Sequence, residues 1–539
     1  MSKPDLHSMM PEAAIALHPP ALHSSSTMTI ATPTTPAAEK SKSSSNNDGT
    51  SGSNSGSGRT TSNSTSTLEK GTPDPNLIEF TGPGDPLNPQ NLPPWRKWVY
   101  ANIIGWLSLV VTFATSVFSA ATGETAEEFG VGRQVTTLGT ALFIAGFAAG
   151  PLLFGPLSEL YGRKRPLMAG YAVFVIFQIP VGVAPNIETL ILCRFIGGVA
   201  ASGPLSIAGG YFADFFDPVQ RGLALAVFSG TTLVGPIIGP ILGGFITQSH
   251  LGWRWTAWIT MIMAATAGLI GLLVLPETYA PVLLQRKAAR LRLETKNWAL
   301  HAKLDESPIT IHSIITRYLS RPLLMLLREP ILQLITLYMT FIYGFIYLLF
   351  EAYPVSFIEE RGYNLGVGAL PFLSIGVGVV LGSGYIFYFT RTRIRQTYLS
   401  TGRIRPEDRL YPMIPGAFLL PLGQFWFAWT SFPSISPWPQ ILAGVPIGAG
   451  IQIIYLQGLA YLVDVYLVNA NSAISANAIV RSTVAAGFTM FATPMYHRLG
   501  VRWASSLLGF LGVAFIPIPI VFYIYGERIR KLSRYSPTL

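Results

Sequence analysis

In a chain of 539 residues, 50% are hydrophobic and only 12% are charged, about half the charge of an ordinary soluble protein. One cysteine, Cys193, excludes an internal disulfide and a cysteine-built metal site. Apolar runs long enough to cross about 30 Å of hydrocarbon recur along the sequence, so the chain reads as a polytopic membrane protein.

The first 90 residues read as a disordered cytoplasmic tail, because "SKSSSNNDGTSGSNSGSGRTTSNSTSTLEKG" has too few apolar side chains to offset its ordering entropy. Its serines and threonines are either phosphorylation targets or inert filler, and an N-x-S/T match at Asn63 is silent on the cytoplasmic side. With the first apolar run near residue 98, span one serves as an uncleaved signal. Six spans follow in an N-terminal bundle over 91–275: Trp98 to Ser119, Thr136 to Phe154, Leu167 to Ala184, Ile187 to Ala208, Leu223 to Ile246 and Trp255 to Leu275. A basic cytoplasmic linker over 276–330 contains "LLQRKAARLRLETKNWALHAKL", expected to form an amphipathic helix along the inner membrane face. A second bundle over 331–530 holds Leu332 to Phe350, Val367 to Phe389, Pro412 to Thr430, Gln440 to Val463, Ile474 to Met495 and Trp503 to Tyr525, followed by a cytoplasmic tail over 531–539.

Orientation follows from the basic residues. Of 37 lysines and arginines, only Arg133, Arg254, Arg361, Arg498 and Arg502 fall in outer loops when the N-terminus is inside, and only Arg194 and Arg481 lie within spans. Both termini are therefore expected in the cytoplasm. The net charge of +10 reports this topology and gives no reason to expect nucleic acid as a partner.

Between spans two and three stands "GPLSELYGRKRP". Gly155 and Gly162 permit a tight turn, Glu159 can pair or cap, and Arg163, Lys164 and Arg165 sit where anionic headgroups attract them. Any short inner loop would be basic and glycine-rich, but the spacing G-x-L-x-[DE]-x-x-G-R-[KR] resembles the signature loop of the major facilitator superfamily, matched at Gly155, Leu157, Glu159, Gly162, Arg163 and Lys164. The resemblance implies an all-α membrane protein of the major facilitator fold, twelve transmembrane helices in two six-helix halves. It also implies that the acid and arginine of this loop latch the halves together when the transporter faces outward. Glu stands here where much of the superfamily has Asp.

Span five carries "GPIIGPILGG", with Gly235, Gly239 and Gly243 on one helical face, Gly244 beside them and Pro236 and Pro240 between. Small residues at this spacing allow close helix approach and prolines bend the span. The run resembles the antiporter motif of the twelve-span drug:proton antiporters, which seals the helix interface against leak. Gly378 and Gly382 on span eight repeat the spacing, and the fold implies that spans five and eight face each other across the halves. That family usually has prolines near the outer end of span one, where this chain reads "SVFSAATGETAEEF", so that helix end should be straighter.

Arg194, in "ILCRFIGGVAA", either faces a polar cavity or partner or lies near enough the surface to snorkel. Its stretch resembles the R-x-x-x-G motif implicated in proton coupling. "GFIYLLFEAYPVSF" with Glu351, "YLVDVY" with Asp464, "ANAIVRS" with Asn477 and Arg481, "GWRWTAWI" and "LPETYAP" look like fungal multidrug and metabolite exporters over residues 90 to 530. Arg194 and Glu351 are the proton-coupling candidates. Glu351 has the character of a proton carrier or of a structural ion pair, and Asp464 that of a helix-end partner. Arg481, Asn477 and the one-turn pair Tyr343 and Tyr347 are the substrate-cavity candidates.

The implied activity is proton-coupled export of small organic molecules, first a secondary metabolite, toxin or drug, second a small organic acid such as a dicarboxylate held by Arg194 and Arg481. Few acids in the spans disfavour polyamines. A non-transporting membrane sensor is the competing class. No nucleophile–base pair, phosphate loop or metal-spaced cluster points to an enzyme, and no cofactor or metal is expected. The expected partners are substrate, protons and the lipid bilayer, with the chain a monomer in the plasma membrane or, alternatively, the vacuolar membrane.

Overall fold

The structure is a computed structural model that describes residues 74–82, 84–306, 320–401, 404–531, 533 and 535. Apart from an isolated bridge between Leu77 and His301, regular structure among these residues is helical. Among the described residues ten helices are long and apolar enough to cross a membrane: Pro94–Phe129, Arg133–Leu160, Lys164–Gly182, Ile187–Phe215, Val219–Gln248, Trp255–Val274, Pro330–Glu359, Leu365–Thr401, Pro437–Tyr466 and Ala470–Arg530. The last is 61 residues and reverses at Gly500, whose φ of 71° and ψ of 160° suit glycine. It therefore supplies spans eleven and twelve, and the 17-residue helix Met413–Trp429 supplies span nine. The twelve expected crossings are present, with an even number placing both ends of the described chain on one face, here the terminal face.

Burial separates the spans. The apolar stretch of span seven is 83% buried and that of span six only 28%. Leu269, Leu272 and Leu273 of span six are 58%, 51% and 74% exposed, an apolar surface that suits lipid and not water. The halves meet along two seams, span five against span eight and span two against span eleven. Ser229 of span five donates to the Gln452 side chain at 3.2 Å, and Gln452 in turn donates to Ser383 of span eight at 2.8 Å.

Glycine sets the closest approaches. On span five a Cβ at Gly235, Gly239 or Gly243 would overlap the backbone or hydroxyls of span one between Leu109 and Val117, and the Thr112 hydroxyl donates to the Thr232 carbonyl at 2.8 Å. The glycine stripe thus seals a contact within one half. Gly244 points the other way, against Leu365 and Gly366 across the seam. Spans five and eight do face each other, as Gly376 beside Ile237 shows, but Gly378 and Gly382 turn to span ten, at Val445 and Ala449. The two stripes are therefore equivalent devices in separate halves. The end of span one, expected to run straighter without prolines, instead tightens into a 3-10 turn over Val117–Ala121, where Gly239 and Gly243 press on its backbone.

The expected disordered tail extended to residue 90. Residues 1–73 lie outside the described residues, while the stretch from Asp74 to Asn91 is held down. Asp85 accepts the Thr81 and Leu87 amides and the Thr81 hydroxyl, which keep its carboxyl well below the usual range, and it pairs with Lys287 of the helix Ala280–Thr295 at 3.2 Å. This helix covers the first part of the linker run expected to be helical and stops at Thr295 instead of continuing to Leu304; residues 307–319 of the linker lie outside the described residues. Behind it, Ile78 donates to the His301 carbonyl at 2.9 Å and His301 returns a bond to Asn76 at 3.0 Å. The linker and the segment before span one therefore form one clasp on the terminal face.

Two outcomes test these contacts. Gly239→Ala should lower the melting temperature by several degrees, since overpacking costs about 1–3 kcal/mol, whereas Gly384→Ala, with nothing within 4 Å of the added methyl, should leave it unchanged; equal shifts would contradict the packing. In the clasp, the Ala299 carbonyl and then the Glu306 and Asp74 carboxylates hold the His301 imidazolium above its ordinary range. A raised folded-state value means stability present below the unfolded value and lost as pH rises through the folded one. Amide exchange over 296–302, corrected for intrinsic rate, should be slower at pH 6 than at pH 8; pH-independent protection would rule out the charged histidine.

Candidate functional site

Between the halves lies a central cavity lined by Thr112, Leu205, Thr232, Leu233 and Pro236 from one side and Tyr343, Ile346, Tyr347, Tyr455 and Arg481 from the other. Its free volume is about 10 Å³, no more than one water requires. This conformation therefore has the centre closed. Arg481 Nη1 donates to the Tyr455 hydroxyl at 3.0 Å, and the guanidinium carbon lies 4.6 Å from the Tyr343 ring centre and 5.1 Å from that of Tyr455. These two rings are 6.4 Å apart and within 25° of parallel. The Tyr343 and Tyr347 hydroxyls meet at 3.2 Å.

Three of the four cavity residues read from the sequence are thus brought together, and Asn477 is not. One turn from Arg481, Asn477 points into its own half, where its amide donates to Thr336 at 3.3 Å and reaches the Met339 sulfur at 3.6 Å. Tyr455 was not anticipated. Its signal was available: with Gln452 and Gln457 it forms a polar patch in the otherwise apolar span ten.

Glu351 occupies a different compartment. Towards the face opposite the termini, a vestibule of about 320 Å³ separates the halves, and its wall includes Glu124, Arg133, Pro240, Glu351 and Glu359. Glu351 is 7% exposed. Arg133 of one half approaches Glu359 of the other at 3.5 Å, and His497 of span eleven sits 2.8 Å from the same carboxylate. Tyr343, Tyr347 and Glu351 recur every four residues, so one stripe of span seven lines both compartments over about 12 Å.

Arg194 belongs to neither lining. Its Nε donates to the Gly139 carbonyl at 2.9 Å, Nη2 donates to that of Ala114 at 3.2 Å, and its guanidinium carbon lies 4.5 Å from the Phe118 ring and 5.1 Å from Phe143. It is 4% exposed. The arginine has the partners that membrane burial demands, but they are spans one and two of its own half. It neither snorkels nor shares a cavity with Arg481.

The signature loop closes the terminal face. At Gly162 the backbone takes φ 89°, and a Cβ there would strike the Glu277 carboxylate. Glu277 Oε1 accepts the Arg163 amide at 2.8 Å and Oε2 accepts that of Lys164 at 3.2 Å, capping span three. The Arg163 side chain pairs with Asp214 at the end of span four at 3.1 Å and lies over Tyr279. Gly155 contributes a carbonyl to the Ser158 hydroxyl at 2.9 Å. Among the described residues Glu159 is the loop residue that reaches across, accepting from Asn471 at the start of span eleven at 3.0 Å. The arginine of the loop is therefore held within its half, and the acid makes the cross-half contact.

The second half has the same device without the same motif. Arg409, in the loop after span eight, pairs with Asp464 at the end of span ten at 2.9 Å, and Glu407 with Arg530 at 3.4 Å. Asp464 is the helix-end partner expected from the sequence. Asp214 and Arg409 were not singled out, since their relation spans tens of residues and no short spacing encodes it.

Known proteins agree with this architecture. The family model described as Major Facilitator Superfamily matches residues 104–488. The citrinin biosynthesis cluster MFS transporter mrr1 of Monascus ruber is 57% identical over 462 residues, covering 86% of this chain and 92% of that protein. The ascochitine biosynthesis cluster MFS transporter of Didymella fabae is 50% identical, covering 86% and 90%, and the cercosporin MFS transporter of Cercospora nicotianae 44%, covering 88% and 92%. Among solved structures, the proton:xylose symporter XylE shares the fold with a TM-score of 0.58 at 17% identity, covering 80% of this chain and 96% of that one. Two six-helix halves, the signature loop and these relatives place the chain in the major facilitator superfamily, a membrane transporter of small molecules and not an enzyme.

Proposed function

We propose that the protein exports a small organic molecule, of the secondary-metabolite, toxin or drug class, in exchange for protons. The observation that carries the coupling is the separation of two polar compartments on the seam between the halves: the arginine–tyrosine cavity at the centre and the vestibule walled by Glu351. The relatives' descriptions, transporters of citrinin and ascochitine biosynthesis clusters and of cercosporin, support a metabolite as cargo. A dicarboxylate is less well served, because Arg194 is committed to carbonyls and does not line Arg481's cavity.

In this reading the terminal face is cytoplasmic, in keeping with its basic residues, and the protein works as a monomer in the plasma membrane. Substrate reaches the central cavity from the cytoplasm when the halves part there. A proton from outside reaches Glu351 through the vestibule. Ionised, that carboxylate resists being sealed from water; protonated, it tolerates closure. Proton loading thus lets the outer face close and the cytoplasmic face open, and proton release inside reverses the bias. Arg194 acts through position, tying spans one and two together beside this seam.

The test is metabolite profiling of medium and cytosol in cells with and without the protein, with the proton gradient intact or collapsed. One compound should move outward only with both protein and gradient. Glu351→Gln should cut gradient-driven export about tenfold or more while leaving substrate counterflow in vesicles, a split that loss of folding would not produce. Export indifferent to the gradient in the unaltered protein would sink the antiport.

A further inference from the structure

The central cavity has one formal charge and it is positive. Among the described residues Arg481 pairs with no carboxylate, and none of the cavity's other lining residues is acidic. One edge of its guanidinium is occupied, Nη1 being bonded to Tyr455, while Nε is buried without a partner. Contrast Arg194, whose Nε and Nη2 both meet carbonyls, and Arg163 and Arg409, each held by an aspartate. A half-satisfied guanidinium in a low-dielectric cavity is a standing cost that an incoming anion offsets. The Nε edge is also the one through which a carboxylate or an enolate-type oxygen pair binds in two-point fashion.

Two further features shape the ligand. The Tyr343 and Tyr455 rings lie nearly parallel with the guanidinium over both, a cluster of flat groups suited to a flat conjugated ring. Opposite them Leu205 and Leu233 offer apolar contact, joined by Ile346 from their own side, and no second cation among the lining residues neutralises a second negative charge.

We propose that the cavity is built for planar aromatic monoanions, with Arg481 as the charge-recognising residue and Tyr343 and Tyr455 as the stacking surface. This rests on the export reading and names its substrate class. A cation meets repulsion at Arg481, a dianion has one charge left over, and a neutral ester loses the two-point bond. The ligand also touches both halves, through Arg481 on one and Thr112 and Thr232 on the other, so its binding bears on how the halves pack.

Binding separates this from the transport reading, because it needs no gradient. The full chain in nanodiscs, with empty nanodiscs subtracted, is titrated with 9-anthracenecarboxylate, its methyl ester, 9-anthracenemethylammonium and anthracene-9,10-dicarboxylate. The monocarboxylate should bind about tenfold or more tighter than the ester, and the dicarboxylate and ammonium should both fall below it. Arg481→Gln should erase the difference between carboxylate and ester while leaving ester affinity in place, and Arg481→Lys should recover part of it. Equal affinity for carboxylate and ester in the unaltered protein overturns the proposal even if Arg481→Gln fails to fold. A variant that weakens all four ligands alike overturns it too, by giving Arg481 a structural role only. Neither result bears on whether export follows the proton gradient.

Discussion

A guanidinium taken out of water must be given partners, and the arrangement of the spans follows where those partners stand. Three arginines meet carboxylate or carbonyl partners. Arg163 and Arg409 meet Asp214 and Asp464 at the terminal face, each tying a loop to the end of a neighbouring span. Arg194 meets two backbone carbonyls and two aromatic rings, which locks spans one, two and four against one another. Truncating one partner of such a set would leave a buried charge uncompensated, a far larger penalty than the net worth of the pair. The fourth, Arg481, is provided for only in part, and it is the one that opens on the central cavity.

Rigid halves are the condition for this division of labour. Apolar helices gain little by associating in lipid, so close backbone approach has to supply packing that the hydrophobic effect does not. The stripe of Gly235, Gly239 and Gly243 does this for spans one and five, and that of Gly378 and Gly382 for spans eight and ten. Both stripes work inside a half. Between halves, apolar packing of Leu233, Ile237 and Ile241 against the second half is joined by polar contacts: Glu159 with Asn471, Ser229 with Gln452, Arg133 with Glu359. Polar contacts of this kind exchange for water at little cost, which suits a seam that must part.

How much of this could be read from residues alone depends on the distance over which each feature is encoded. Hydropathy is local and periodic, so all twelve crossings and the linker helix were legible. The signature loop was legible because Gly155 to Lys164 is a short run whose spacing is constrained by a single turn. Which way a span faces was not. Arg194 and Arg481 look alike as lone arginines in apolar helices, yet one is sealed in a half and the other faces the cavity, because rotation about the helix axis is set by neighbours far away in sequence. Gly378 and Gly382 illustrate the same point, sharing a spacing with span five while facing span ten. Asp74 to Asn91 failed for another reason. Composition described the serine-rich tail ahead of it, but Asp85 and its partner Lys287 lie about two hundred residues apart.

Span seven joins the two compartments mechanically. Tyr343 and Tyr347 stand in the central cavity and Glu351 in the vestibule, on one face of a helix that is among the most buried in the protein. Span eleven carries Arg481 at the centre and, about 24 Å further along and past Pro494, His497 beside Glu359. A side chain on a helix cannot change its relation to another two turns along without the helix bending or turning as a body. In the proposed reading, a ligand that enters the central cavity and pushes on Tyr343 or Tyr347 therefore acts on the same rod that carries Glu351. In the proposed reading, occupancy of the central cavity bears on the vestibule through movement of span seven as a body, with no relay of side chains across the roughly 12 Å between Tyr343 and Glu351.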